Sequence, residues 1–415
     1  MKHHVLKTIG VAVLAATFPL AATAAAEDRL AALEQEMANT RAELAALKGE
    51  KTDLAAVNET ESKFTLGGYG EIHANFVDGG KSMFDIHRLV LYAGYEFADW
   101  IRLSSELELE HAYVSSGSGG EISIEQLYVD FLLSDPISVR AGRVLAPIGM
   151  INQYHEPTLF FGVERPSVDK VIIPSTWSLD GAGVFGAPTS WMTYEAYVVA
   201  GLEGSGFDDA NGVRGGRNKE RQGLNDPAVT GRIDFFPLAT DNQDLRVGVS
   251  GYYGGTDNAN KGGEGSPSVD NTFALYSADF QYDVSRFMFR GVVAHGKNSD
   301  ADALQTAYAN DAGEEIFGWY LEGGVSVMPN SWKKGKLKES DLIPFVRYER
   351  YDTQLEVPDN VVKNDANDRQ DITVGVNWLL TPNFVVKADV QFLSNELIGS
   401  DVNNKYNLGI GWVFN

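Results

Sequence analysis

The chain has no cysteine among its 415 residues. That excludes thiolate catalysis, CxxC redox chemistry, cysteine-based metal sites and disulfide staples. After the first two dozen positions it also lacks any apolar run long enough for a membrane-spanning helix, which needs about 20 residues. Positive charge is scarce. Lys and Arg number 34 against 57 Asp and Glu, a net charge of −23, and this excludes the basic footprint of a nucleic-acid partner. No GxSxG or HExxH motif and no calcium-loop spacing occurs, so Asp300, Asp302, Asp311, Asp365 and Asp368 read as solvated loop charge. Acidity alone names no partner, though in a conduit it would weakly favour cations.

What is present begins with an export signal. Lys2, His3, His4 and Lys7 precede an apolar core, Ile9 to Leu20, and small-residue cleavage sites at Ala22-Thr23-Ala24 or Ala24-Ala25-Ala26. Residues 1–26 therefore read as a signal peptide, and the shortness of the core disfavours a retained anchor. In residues 27–58, Leu30, Leu33, Met37, Leu44, Leu47 and Leu54 occupy a and d positions of one heptad frame. Thr40 and Lys51 interrupt the frame and Gly49 weakens the helix. The stripe predicts a short periplasmic helical segment that forms a parallel trimeric coiled coil, with a helical linker as the alternative.

From Phe64 onward the period is two. Ile101, Leu103, Leu107 and Leu109 alternate with Arg102, Ser104, Glu106, Glu108 and Glu110. Such segments run about ten residues, longer than the five or six of soluble strands. No second set of apolar positions is evident to build a core, so the apolar face should meet lipid and the polar face a lumen. Short connections such as Ser134-Asp135-Pro136 and Thr381-Pro382 alternate with long polar ones such as Gly204–Asp226 and Gly255–Asp270. Residues 63–415 are therefore predicted to form an all-β, transmembrane, antiparallel up-and-down barrel of about 16 strands, with both ends on the periplasmic side. Only closure pairs every strand edge in lipid. The final strand, with Tyr406, Leu408, Ile410, Trp412 and Phe414 on one face, resembles the signal read by the barrel-assembly machinery.

One connection differs from the rest. Ile148–Trp177 carries Tyr154, Leu159, Phe160, Phe161, Val171, Ile172 and Ile173, so it should pack rather than extend into water. Folded into a wide barrel over residues 148–177 it would narrow the pore; capping the outer mouth is the alternative. His155, Glu156, Glu164, Arg165, Asp169 and Lys170 are then constriction candidates. Strand parity adds pore-lining candidates: Arg102, Glu106, Glu108, Glu110, Asp130, Arg140, Arg232, Arg246, Arg290, Arg347 and Lys387; Arg143 joins them on the family resemblance given below. The inward assignment follows from the roughly 2–4 kcal/mol that a mid-membrane Arg or Lys would cost against lipid. Around His87-Arg88 the alternation slips by one.

Particular stretches carry a family resemblance. Phe84-x-Ile86-His87-Arg88-Leu89-Val90-Leu91, Leu127-Tyr128-Val129-Asp130-Phe131, Val139-Arg140-Ala141-Gly142-Arg143, Val163-Glu164-Arg165-Pro166 and Ser178-x-x-Gly181-x-Gly183-x-x-Gly186 resemble the phosphate-selective porin O and P family. The resemblance implies a sixteen-stranded trimeric outer-membrane channel with a loop folded into its lumen. Of the basic positions it carries over only Arg140, Arg143 and Arg165. Glu106, Glu108 and Glu110 depart from the rows of Arg and Lys that phosphate selection implies.

The expected function is passive diffusion of small hydrophilic solutes and ions across the cell outer membrane. An anion- or phosphate-selective channel is the alternative, and a structural outer-membrane tether a third reading. Catalysis is not expected, nor is any cofactor or metal: His155-Glu156 could serve as base or ligand, but polar packing is the commoner role for such a pair. Expected partners are two further copies in a homotrimer, outer-membrane lipids and lipopolysaccharide, and the assembly machinery.

Overall fold

The computed structural model describes residues 63–115, 119–217, 223–257, 269–399 and 402–414. The signal peptide and coiled-coil expectations over 1–58 lie outside the described residues. From Phe64 the period-two pattern folds as strands, because alternation lets one face meet lipid while the ladder satisfies every backbone group.

The described residues form 16 strands. The first six are β1 (Phe64–Val77), β2 (Met83–Ala98), β3 (Ile101–Glu110), β4 (Glu121–Ser134), β5 (Ile137–Leu145) and β6 (Ser178–Thr189). Then come β7 (Met192–Ala200), β8 (Pro227–Thr240), β9 (Gln243–Gly255), β10 (Thr272–Val284) and β11 (Phe287–Asn298). The last are β12 (Glu315–Val325), β13 (Asp341–Glu356), β14 (Asp368–Thr381), β15 (Phe384–Asn395) and β16 (Lys405–Phe414). Each pairs antiparallel with its sequence neighbours, and β1 closes the ring on β16 with Tyr69 opposite Val413 and Asn75 opposite Asn407. Sixteen strands make a barrel wide enough for an aqueous channel.

The outward face carries Leu89, Leu91, Leu107, Ile122, Leu127, Leu408 and Ile410, all exposed in the isolated chain. At the end with short turns, Tyr95, Phe97, Trp100, Trp191 and Trp378 form an exposed aromatic belt of the kind that seats at a membrane interface.

Among the register shifts of the described strands, two bulges bear on the lumen. Opposite Glu71/Ile72, β2 pairs through Ile86 and Arg88, leaving His87 as the extra residue. Opposite Glu106/Leu107, β4 pairs through Gln126 and Ile124, leaving Glu125 as the extra residue. A bulge re-aims side chains without breaking the strand. Here it lets Glu125 join the inward face between Ile124, which faces out, and Gln126.

The expectation that no inward apolar set exists is corrected. Leu179, Tyr197, Val199, Tyr252, Phe273, Leu275, Ile316 and Tyr320 point inward and are buried with the connection between β5 and β6. The lumen wall from β6 to β13 thus has an apolar lining because it packs on protein rather than on water.

Candidate functional site

The connection 146–177, hereafter the inner loop, reaches inward-facing groups on strands around the whole ring. It therefore lies inside the barrel. Two forces hold it. The first is burial: Ile148, Ile172, Ile173 and Trp177 are 0% exposed, and each such side chain contributes about 1.5–3 kcal/mol. The second is a set of hydrogen bonds from wall side chains to loop backbone, which satisfy groups that a buried loop would otherwise strand.

Those anchors are distributed widely. Arg88 on β2 donates to the His155 carbonyl at 2.8 Å, and Arg232 on β8 to the Gly149 carbonyl at 2.7 Å. Arg290 on β11 donates to the Leu159 carbonyl at 2.6 Å. Lys387 on β15 donates to the carbonyls of Phe160 and Gly162 at 2.7 and 2.8 Å. Carboxylates take the amides: Asp389 accepts from Val163 N at 2.6 Å, and Glu349 from Ser167 N at 2.6 Å and Val168 N at 3.3 Å. The last pair starts a π-helical turn, Val168–Ile172. Gly149 begins the descent with φ +65°, a conformation that favours glycine.

Several positions expected to line the pore are therefore corrected to buried anchors. Arg232, Arg347 and Lys387 are 3% exposed or less. Arg347 lies 3.1 Å from Glu349 and 3.6 Å from Glu322, while Arg246 lies 3.3 Å from Asp279. Their charge is spent on the loop and on neighbouring carboxylates. Glu106 and Glu108 face inward but are covered by the inner loop and buried. Arg143 is corrected outright. It pairs across from Leu127 and Asp180, and Leu127 faces out, so Arg143 stands on the outer face with Asp180 at 2.6 Å. Three residues from inward Arg140, with no bulge between them, period two allows nothing else. Arg140 is clamped to Asp130 by bonds of 2.6 and 2.9 Å, between the rings of Tyr128 and Phe185. Arg102 lies 3.2 Å from Glu96 at the short-turn end.

Within the loop the six constriction candidates separate. Asp169 is 0% exposed beneath the loop, and His155 is buried against β4, so neither faces open lumen. Glu156 accepts from Tyr92 at 3.3 Å. Glu164 is half-buried, accepts from Asn75 at 3.0 Å, and lies 3.3 Å from His73. Burial opposes ionisation of Glu164, but His73 outweighs it and holds the carboxyl well below its usual range. His73 stacks on His87 at 4.4 Å, and Asp85 bridges His87 and His111 at 3.2 and 2.8 Å. Arg165 is partly exposed and Lys170 is open to water.

A second connection completes the arrangement. Residues 201–217, after β7, fold back so that Arg214 and Arg217 bind the inner loop's carbonyls. Arg214 donates to Lys170 O at 3.0 Å and also to Ser175 O; Arg217 donates to Pro174 O at 3.4 Å and to Thr176 O. Arg165 joins through the Thr176 hydroxyl at 2.8 Å. Four cations thus gather on two loops, and among the described residues none of them forms an ion pair. Enclosure in the barrel lowers the Lys170 ammonium below its ordinary value; Glu164 opposes this, and Arg214, Lys405 and Arg165 add to it. Arg214 is lowered likewise by enclosure, then by Arg217 and Arg165, against Glu110. The arginines stay charged regardless. Arg214 and Arg217 escape a reading of strand parity because they sit in a connection that looks like ordinary external loop. The available signal was a basic run, Arg214, Arg217, Lys219 and Arg221, in a chain of net charge −23.

A lumen with an inward loop and a concentrated charge pattern can be compared with known proteins. A family model described as phosphate-selective porin O and P matches residues 67–405. The chain belongs to that family. It is a porin of the outer membrane, a channel for passive diffusion of small hydrophilic solutes and ions. An uncharacterized protein of Aquifex aeolicus (strain VF5) is 31% identical to this porin over 374 residues, covering 86% of this chain and 81% of the relative. Among solved structures, Salmonella typhi OmpF in complex with daunomycin aligns with TM-score 0.56 at 10% identity, over 85% of this chain and 98% of the other. The outer membrane channel DcaP of Acinetobacter baumannii aligns with TM-score 0.52 at 12% identity, over 87% of this chain and 100% of the other. An anion-selective porin from Comamonas acidovorans gives TM-score 0.50 at 12% identity, over 85% and 100%. At these identities the likeness to solved structures is one of fold.

Proposed function

We propose that the porin passes small hydrophilic anions in preference to cations, with Arg165, Lys170, Arg214 and Arg217 forming the selective stretch. The observation that carries this reading is their convergence from two loops without ion-pair partners among the described residues. Anion pores are built from Arg and Lys at the narrow point, and enclosure strengthens each charge's field. The lumen carboxylates offset this less than their number suggests. Asp130, Asp279 and Glu349 are ion-paired, and Glu106, Glu108 and Glu125 are buried behind the inner loop. Membership of a family described as phosphate-selective is consistent with an anion channel, as is the shared fold of the anion-selective Comamonas porin.

A second reading, a weakly selective diffusion pore, is favoured by Glu110, which faces Arg214 and Arg217 and sets a transverse field. Conductance in salts that vary one ion separates the two. Replacing chloride by a bulky organic anion should cut single-channel conductance far more than replacing potassium by a bulky cation. Equal losses would favour the unselective pore.

The channel acts as a conduit and not as a catalyst in this reading. It works as a homotrimer, an inference supported by the outward pair Arg143–Asp180, whose charges are better covered by protein than by lipid. Residues 27–58 would add a coil beneath the three barrels. Cross-linking that yields only monomers from native membranes would contradict the trimer.

A further inference from the structure

Behind the inner loop, where it meets β3 and β4, lies a knot of acceptor atoms without donors. Glu106 on β3, Glu125 on β4 and His155 on the loop are each 3% exposed. One ligand atom from each lies within 4.8 Å of the other two. The His155 Nε2 atom is 3.5 Å from Glu125 Oε2. The β4 bulge keeps Glu125 in this gap; alternation counted back from outward Leu127 would have turned it to lipid.

The hydrogen bonding here is incomplete in a specific way. His155 Nδ1 lies 2.9 Å from the carbonyl oxygen of Asn152. A carbonyl only accepts, so Nδ1 carries a proton, and in the neutral ring Nε2 is then the lone-pair nitrogen available to a cation. That Nε2, both oxygens of Glu125, Glu106 Oε1 and Glu108 Oε1 have no hydrogen-bond partner among the described residues. Gln126 serves only the far oxygen, Glu106 Oε2, at 2.6 Å. Arg88 stands nearby but is committed to Glu71 at 2.5 Å, Tyr69 at 3.0 Å and the His155 carbonyl, and is 3.8 Å from Glu108. Acceptors facing acceptors in a dry site repel unless something positive sits between them.

We propose that Glu106, Glu125 and His155 bind a divalent transition-metal cation of the zinc and manganese class, which staples the inner loop to the barrel wall. One imidazole nitrogen with two carboxylates is a donor set suited to such ions. The Nδ1–H bond to a backbone carbonyl is the outer-shell contact that fixes a ligating histidine's tautomer and ring plane. Glu108 is placed to complete the set or to balance its charge. The three ligands come from two strands and the loop, so binding joins β3 and β4 to a stretch of loop that Arg88 and Tyr92 hold from β2.

Full-length protein purified in detergent, stripped with a chelator and titrated calorimetrically with ZnCl2 and with MnCl2 tests this. The expected result is a saturable site of one ion per chain for at least one metal. It should be lost in Glu125→Gln and in His155→Ala, and retained in Asp85→Asn, which dismantles the separate Asp85–His87–His111 cluster at the lumen mouth. Heat-modifiable gel mobility reports that each variant is folded; should one fail to fold, the wild-type and Asp85→Asn titrations still decide. Absence of binding by the stripped wild type overturns the proposal, as does binding that survives both ligand substitutions or disappears in Asp85→Asn. A stripped wild type at least as heat-stable as Glu125→Gln, with no rise in stability when either metal is added, also overturns it and assigns the gap to a proton shared between Glu106 and Glu125.

Discussion

Arg232 and Asp279 form a two-pronged ion pair inside the barrel, with Nη1 and Nη2 each 2.8 Å from a carboxylate oxygen. Nη1 also holds the Gly149 carbonyl, so one guanidinium ties β8, β10 and the inner loop together. Removing it leaves Asp279 buried without this partner and the loop without its first anchor. Arg232→Ala should cost about 3–5 kcal/mol, the usual penalty for breaking a buried pair. Denaturant unfolding in lipid vesicles measures that loss. Single-channel records of the same variant should show added flicker from a loosened loop, and a trace as steady as wild type would contradict the anchoring role.

Gly149 tests the loop by sterics instead of charge. A Cβ there would stand 2.7 Å from Ile173 Cδ1 at a φ of +65°. Gly149→Ala should destabilise the seated loop by about 1–2 kcal/mol from the left-handed backbone alone. Faster cleavage within residues 146–177 by added protease, with barrel mobility on gels unchanged, is the expected signature. Equal cleavage rates would show that the site relaxes without cost.

Asp169 gives the loop a pH dependence. Burial, opposed by Tyr320 and reinforced by Asp279, Glu349 and Glu322, pushes its carboxyl up to about 7. A carboxyl raised on folding stabilises while protonated. Its contribution is complete below the ordinary Asp value, about 4, and is lost as pH rises through about 7. Heat stability of the folded barrel should therefore decline between about pH 4 and about pH 7, and Asp169→Asn should flatten that decline. A variant with the same slope as wild type would assign the dependence to other groups.

How much of this was visible beforehand differs from feature to feature. Strand number and sidedness follow from the period of two and from connections that alternate in length, since closure leaves lipid-facing apolar residues every second position. The inner core was hidden because Tyr252, Phe273 and Leu275 are apolar on the lumen side, where pattern alone cannot separate protein-facing from lipid-facing residues. Arg143 was placed in the lumen on the family resemblance, against the parity that runs from inward Arg140. Glu125 was legible in principle: Ile122 and Ile124 are followed by Leu127 and Val129, a slip of one that marks a bulge. Contacts between separate loops, such as Arg214 with Lys170, leave no periodic trace in the sequence.

Selectivity is the central claim, and the zero-current potential across a planar bilayer in a KCl gradient measures it most directly. An anion-preferring lumen gives the wild type a potential of the sign set by chloride, moving towards the potassium sign in the combined Lys170→Ala, Arg214→Ala, Arg217→Ala variant. A wild-type potential of the potassium sign, or one unchanged by the three substitutions, would contradict it.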